Sequence, residues 1–114
     1  MYINGMVCAV PTANREAYVA LAQNWAAFCK ESGALQVMDC WGEDVPEGKL
    51  TSFPMAVQRK DDETVVFSWV TWPDKATSTK AMTAAMKDPR FSPANSPMDG
   101  KRMIHGGFVP LSKG

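Results

Sequence analysis

Five polar side chains lie in or beside segments rich in strand-forming apolar residues: Asn4, Asp39, Ser68, Arg102 and His105. His105 is the one histidine, and its imidazole could act as a general base or bind a haem iron. Its nearest candidate partner is Asp39, provided that the odd positions of that strand face the same way, so these two are the candidate catalytic residues. A hydrogen-bonded structural histidine is the favoured alternative, because the sequence offers no evident partner.

Aromatic side chains in the predicted strands could form the walls of a ligand site. They could enclose a flat organic molecule, with indole N–H groups orienting it. Together with two of the polar residues, they give the candidate ligand-binding set: Asn4, Trp41, Phe67, Trp69 and Arg102. The alternative is that the aromatic side chains only fill the core and a dimer interface.

Three cysteines, Cys8, Cys29 and Cys40, could with His105 supply the four ligands of a zinc site. Their spacing argues against one, because no two of them stand as close in sequence as the cysteines of a zinc knuckle. We expect no metal and no cofactor, and we interpret the cysteines as small apolar residues, with Cys40 the most accessible. An odd number of widely spaced thiols indicates a reducing compartment, which predicts the cytoplasm.

The charge balance bears on the possible partners. Lysine and arginine number 12, as do aspartate and glutamate, so the formal net charge is zero. No nucleic-acid partner is expected, because neutralising phosphates requires a basic excess, and an anionic membrane surface is disfavoured by the same balance. No targeting segment is evident, and no stretch approaches the length of a membrane span.

The chain is predicted to form one α+β domain over residues 1–114. Strands are expected at residues 2–10, 34–41, 65–72 and 103–111. The last strand contains Gly106 and Gly107, which indicate a bulge or a close backbone approach.

Two helices are interleaved with these strands. Apolar residues at spacings of three and four between Tyr18 and Cys29 predict an amphipathic helix that ends before Gly33. A second helix is expected between Asp74 and the stop at Pro89. Residues 51–57 favour a helical turn over a strand, because a proline suits the start of a helix and cannot donate to a sheet.

The resulting order, βαββαβ, predicts a ferredoxin-like fold: an antiparallel sheet with both helices on one face. The strand segments carry apolar residues at both odd and even positions, so both faces of the sheet require cover. Two helices cover one face of four strands. We therefore expect a second copy of the chain to cover the other face, with a cavity between the two sheets.

Four runs resemble the YbaA-like family of small bacterial proteins of unknown function: DCWGEDVP at 39–46, TSFPMAV at 51–57, ETVVFSW at 63–69 and DGKRMI at 99–104. The resemblance implies a ferredoxin-like protomer that pairs as a dimeric α/β barrel. It assigns no catalytic residues, and the family has a tyrosine where this chain has His105. The wider barrel superfamily includes monooxygenases, haem-degrading enzymes, isomerases and ligand-sensing domains, so fold alone does not select a reaction.

Two functions are consistent with these patterns. The first is a cytoplasmic homodimer that binds a small, largely apolar organic molecule in a barrel cavity, with cofactor-independent chemistry as an extension. In that case residues 43–49 and 90–101 are candidate lids. The alternative is a non-catalytic homodimeric module whose apolar faces simply pack together.

Overall fold

The computed structural model describes residues 1–114 and contains four strands and three α-helices. In chain order these are β1 (Tyr2–Pro11), α1 (Arg15–Glu31), β2 (Gln36–Trp41), α2 (Phe53–Ala56), β3 (Glu63–Trp72), α3 (Lys75–Ala85) and β4 (Ile104–Phe108). Short 3-10 turns occupy Thr12–Asn14, Pro89–Phe91, Pro93–Asn95 and Gly100–Arg102. None of the helices combines the length and the apolar character needed to cross a bilayer.

The four strands form one antiparallel sheet in the order β2-β3-β1-β4. This order, with one long helix after β1 and another after β3, confirms the predicted ferredoxin-like arrangement. The last strand ends at Phe108 rather than at residue 111. The register explains the difference, since Phe108 pairs with Ile3 and β1 begins at Tyr2, so residues beyond 109 have no strand partner.

Both long helices pack on the same face of the sheet, as predicted. The buried Tyr18 of α1 packs with Cys8 and Val66 from the two central strands. On α3, Ala81 packs with Trp72, whose side chain is fully buried. Even-numbered residues of β1 and β3 therefore face the helices, and we call this side of the sheet the helix face.

The opposite side of the sheet is covered at one end by the segment around α2. Ser52 caps this short helix, since its hydroxyl accepts a hydrogen bond from the Met55 backbone N–H (3.1 Å), and Pro54 lies in its first turn. The predicted helical turn is thus confirmed. The following residue, Val57, is fully buried against Val7, Ala9 and Val65 of the sheet.

The rest of that side has no cover within the chain, and we call it the open face. Strand register assigns to it Ile3, Met38, Phe67, Trp69, Ile104 and Phe108. Phe67 lies on an interior strand and is nevertheless 43% exposed, while Phe108 is 60% exposed. Large apolar side chains at such exposure mark a surface that is unfavourable to leave in water.

The two glycines of β4 differ in their surroundings. The pairing of β4 with β1 is continuous through both, so β4 contains no bulge. A Cβ atom at Gly107 would overlap the hydroxyl group of Tyr2, which lies across the helix face of β4. The alternative prediction, a close approach to the backbone, is therefore confirmed.

Candidate functional site

The two candidate catalytic residues lie on the same face of the sheet but at opposite edges. Asp39 is on β2, opposite Ser68, and His105 is on β4, opposite Met6, so both point to the helix face. With β3 and β1 between them, three strand spacings separate them, roughly 14 Å. His105 is exposed. The structure does not bring these residues together as an acid–base pair.

Asn4, predicted to contact a ligand, is bonded within the core. Its Oδ1 accepts hydrogen bonds from Trp72 Nε1 (2.7 Å) and from the Ser78 hydroxyl group of α3 (2.6 Å). Both donors belong to buried side chains, so the amide oxygen satisfies two groups that water cannot reach. Asn4 thus ties α3 to the centre of the sheet.

Arg102 is also bonded within the protein. Its Nη1 and Nη2 atoms donate to the two carboxylate oxygens of Glu63 at 2.7 and 2.6 Å, and its Nε donates to Asp99 at 3.1 Å. Nη1 also donates to the backbone carbonyl of Gln58. The hydrogen bonds from Arg102 are the main reason that the pKa of Glu63 falls to about 2, although burial of the carboxylate acts in the opposite direction. Arg102 thus holds the chain before β4 against the start of β3 and against the segment that follows α2.

Two other predicted residues, Trp41 and Phe67, border one small cavity of about 250 Å³ at the β2 edge of the open face. We call it the open-face pocket. Its other lining residues are Cys40, Gly42, Val45, Phe53 and Val65.

Aromatic side chains give this pocket its shape. The rings of Phe53 and Phe67 meet edge to face at a centroid distance of 6.0 Å, and Trp69 extends the row at 5.5 Å from Phe67. Trp69 Nε1 donates to the Gln36 side chain (3.2 Å), which fixes the orientation of the indole. Apart from the thiol of Cys40, the pocket lining carries no ionisable group. The arrangement is suited to binding an apolar ring rather than to moving a proton.

Five of the seven lining residues were not predicted as ligand contacts, and Phe53 and Val45 show why. Phe53 enters the pocket because α2 folds over the sheet, and Val45 because the chain turns tightly at Gly42. A Cβ at Gly42 would come within 2.7 Å of the Val65 carbonyl oxygen, so the turn requires a glycine. The pattern Ser52-Phe53-Pro54 predicted the helical turn, but it did not indicate which face of the sheet the turn would cover.

The thiols provide no activated nucleophile in the core. Burial is the main cause that raises the pKa of both Cys8 and Cys29 to about 12, with the charge of Asp39 adding to it. All three cysteines are free, and Cys40 is half-buried. No group of three or more histidine, cysteine, aspartate or glutamate side chains lies close enough to hold a metal ion.

Comparison with known proteins places the chain in a family. The model of the family described as "Protein of unknown function (DUF1428)" matches residues 1–100. The chain belongs to this family. It is 46% identical over 112 residues, 96% of both chains, to the protein named "Uncharacterized protein YbaA" in Escherichia coli strain K12. It has the same similarity to proteins of that name in Escherichia coli O157:H7 and Shigella flexneri. The resemblance drawn from the four sequence runs is confirmed.

The Glu63–Arg102 pair should make the stability of the fold depend on pH. The pKa of Glu63 is about 2 in the folded chain against 4.5 as its reference value, so its stabilising effect is present above about pH 4.5 and is lost as the pH falls towards 2. Near neutral pH, Glu63→Gln should lower the free energy of unfolding by on the order of 2–3 kcal/mol, measured by urea denaturation. At about pH 2.5 the free energies of unfolding of variant and wild type should differ by only a small part of that amount.

Glu47→Gln is the matched control. Glu47 pairs with Arg59, but its side chain is 71% exposed, so its removal should cost less than about 1 kcal/mol. If the free energies of unfolding of wild type and Glu63→Gln differed by the same amount at neutral and acidic pH, the Glu63–Arg102 pair would not be the source of the stability difference.

Proposed function

We propose that the chain forms a homodimer through the open face and binds a small, largely apolar organic molecule in the open-face pocket. The observation that carries this proposal is the row of aromatic side chains on the open face, formed by Phe53, Phe67 and the half-buried Trp69, of which the two phenylalanines are exposed. It lies on a sheet whose other face is already filled by two helices.

The size of the exposed apolar surface favours a protein partner. Six large apolar side chains on or beside the open face are 40–60% exposed: Met38, Phe53, Met55, Phe67, Ile104 and Phe108. At about 200 Å² for each whole side chain they leave about 560 Å² in contact with water. This is near the upper end for a monomer and a large part of the roughly 800 Å² that each partner buries in a standard interface.

The chemistry of the open face favours a second copy of the same chain as that partner. The side chains that form it carry no charge, so the same patch can meet itself across a two-fold axis without burying like charges. The Glu63–Arg102 ion pair at its covered end is satisfied within the chain. The net charge of zero adds no long-range repulsion between copies.

The open-face pocket supports the ligand part of the proposal. Its volume of about 250 Å³ lies just below the usual range for small-molecule sites, and one side is open. A second copy across the open face would close that side and complete the enclosure. Ring contacts with Phe53 and Phe67 would then favour a flat apolar compound. The proposed activity is binding, since Cys40 supplies the one ionisable group of the lining.

A dimer without a ligand is the second candidate function. The Phe108 ring is 60% exposed and lies over Gly5 and Gly106 on the open face. In this second candidate, apolar side chains of the second copy cover this ring and fill the pocket. The two candidates share the interface and differ in what occupies the pocket. Cytoplasmic location belongs to the same proposal and is supported by the three free cysteines.

The interface predicts a change of oligomeric state on substitution. Phe67→Asp places a charge at the centre of the open face and should convert a dimer to a monomer at micromolar concentration, measured by sedimentation equilibrium. Met86→Asp is the matched control, because Met86 is 88% exposed at the end of α3 and away from the open face. It should leave the dimer intact. A wild-type chain that remains monomeric at this concentration would refute the interface.

A ligand bound in the open-face pocket should be lost when a larger side chain fills the pocket. Native mass spectrometry of the protein purified from its own host should show a dimer carrying an additional small organic mass. Val45→Trp should remove that mass but keep the dimer, because the larger side chain fills the open-face pocket. Leu50→Trp, at a fully exposed position outside the pocket, should keep both. A wild-type dimer without added mass would favour the packed interface instead.

A further inference from the structure

A second cavity lies on the helix face, along the outer edge of the sheet. It is a groove of about 390 Å³ between α1 and β2, within the usual range for small-molecule sites. β2 contributes alternate residues that point to the helix face: Val37, Asp39 and Trp41. α1 contributes residues three or four positions apart along one side: Arg15, Val19, Ala22, Gln23 and Ala26. The two alanines leave the space that a larger helix side chain would fill.

Asp39 lies in the middle of this groove with no cationic partner. Its Oδ1 accepts a hydrogen bond from the hydroxyl group of Tyr18 (2.7 Å), and it takes part in none of the four ion pairs of the chain. Burial raises the pKa of Asp39, while hydrogen bonds with Tyr18 and Ser68 act to lower it. A half-buried carboxylate of this kind is stabilised by a further hydrogen-bond donor.

Arg15 lies at one end of the groove and is also without an ionic partner. Its guanidinium carbon is 5.6 Å from the ring centroid of Trp41, a cation–π distance. The side chain is exposed and forms no ion pair, so its donors are available to an anion. A guanidinium placed over an indole ring can still bind a carboxylate through two N–H groups.

The arrangement of these groups indicates a type of ligand. Arg15 lies over Trp41, and Trp41 is two residues along β2 from Asp39, roughly 6.6 Å between the two Cα atoms. A ligand that reaches both groups has an anionic group at one end, a hydrogen-bond donor at the other and an apolar body between them. Apolar contacts from Val19 and Val37 would lie along that body.

We propose that the α1–β2 groove binds an aromatic carboxylic acid that carries a hydroxyl or amino group at the far end of its ring. The acid group pairs with Arg15, and the hydroxyl or amino group donates to Asp39. A ligand with a second anionic group would meet the carboxylate of Asp39 there and be repelled. This site is separate from the open-face pocket, although Cys40 and Trp41 on the edge strand border both cavities.

The direct test is a titration of the full ¹⁵N-labelled chain with 4-hydroxybenzoate, followed by two-dimensional amide NMR spectra. The largest shifts should fall in residues 15–26 and 37–41 at millimolar ligand. Binding should weaken about tenfold for Arg15→Gln, which removes one charge-assisted contact. Arg90→Gln is the matched control, since Arg90 also lies over aromatic rings, Phe28 and Phe91, but outside the groove. Its affinity should equal that of the wild type.

The contact with Asp39 has its own readout. Wild type should bind 4-hydroxybenzoate several-fold more tightly than benzoate, and Asp39→Asn should reduce that preference. The proposal is overturned if millimolar 4-hydroxybenzoate shifts no amide in the groove, or if Arg15→Gln binds as well as wild type. It is also overturned if benzoate binds equally well. Shifts confined to residues 65–69 and 104–108 would place the ligand on the open face and would leave the proposed dimer untouched.

Discussion

Two helices on one side of a four-stranded sheet leave the other side without cover, and this constraint governs the rest of the structure. The helix face is closed by α1 and α3 around Cys8, Val66 and Trp72. On the other side, the segment around α2 covers one end through Val57. The remaining open face holds exposed aromatic side chains, and burial of apolar surface is the dominant favourable term in both folding and association.

The same constraint separates the polar side chains from the aromatic row. Successive side chains along a strand point to opposite faces of the sheet. Asn4 and Asp39 therefore point to the helix face, whereas Phe67 and Trp69 point to the open face. The open-face pocket is therefore almost entirely apolar, while the groove between α1 and β2 combines apolar walls with a carboxylate and a guanidinium. The two cavities are suited to different ligands because they lie on opposite faces of the sheet, although both reach the edge strand at Cys40 and Trp41.

The order of the elements could be predicted from the sequence because their signals are local, as in the spacing from Tyr18 to Cys29 or the turn at Ser52. The sequence could not predict which side chains of each strand face the helices. β1 and β3 carry apolar residues at both odd and even positions, and a shift of one residue exchanges the two faces. The roles of Asn4 and Arg102 depend on Ser78 and Glu63, which are 74 and 39 residues away. Such pairs form only in the assembled fold.

Covering of the open face by a second copy is the central claim, and hydroxyl-radical footprinting tests it most directly. Phe67 and Met86 are 43% and 88% exposed in the single chain. With each rate normalised to the unfolded chain, Phe67 should be modified at the rate of a buried residue at micromolar concentration, while Met86 reacts freely. Modification of Phe67 in proportion to its exposure in the single chain would contradict the claim, because it would show that the open face is exposed to water.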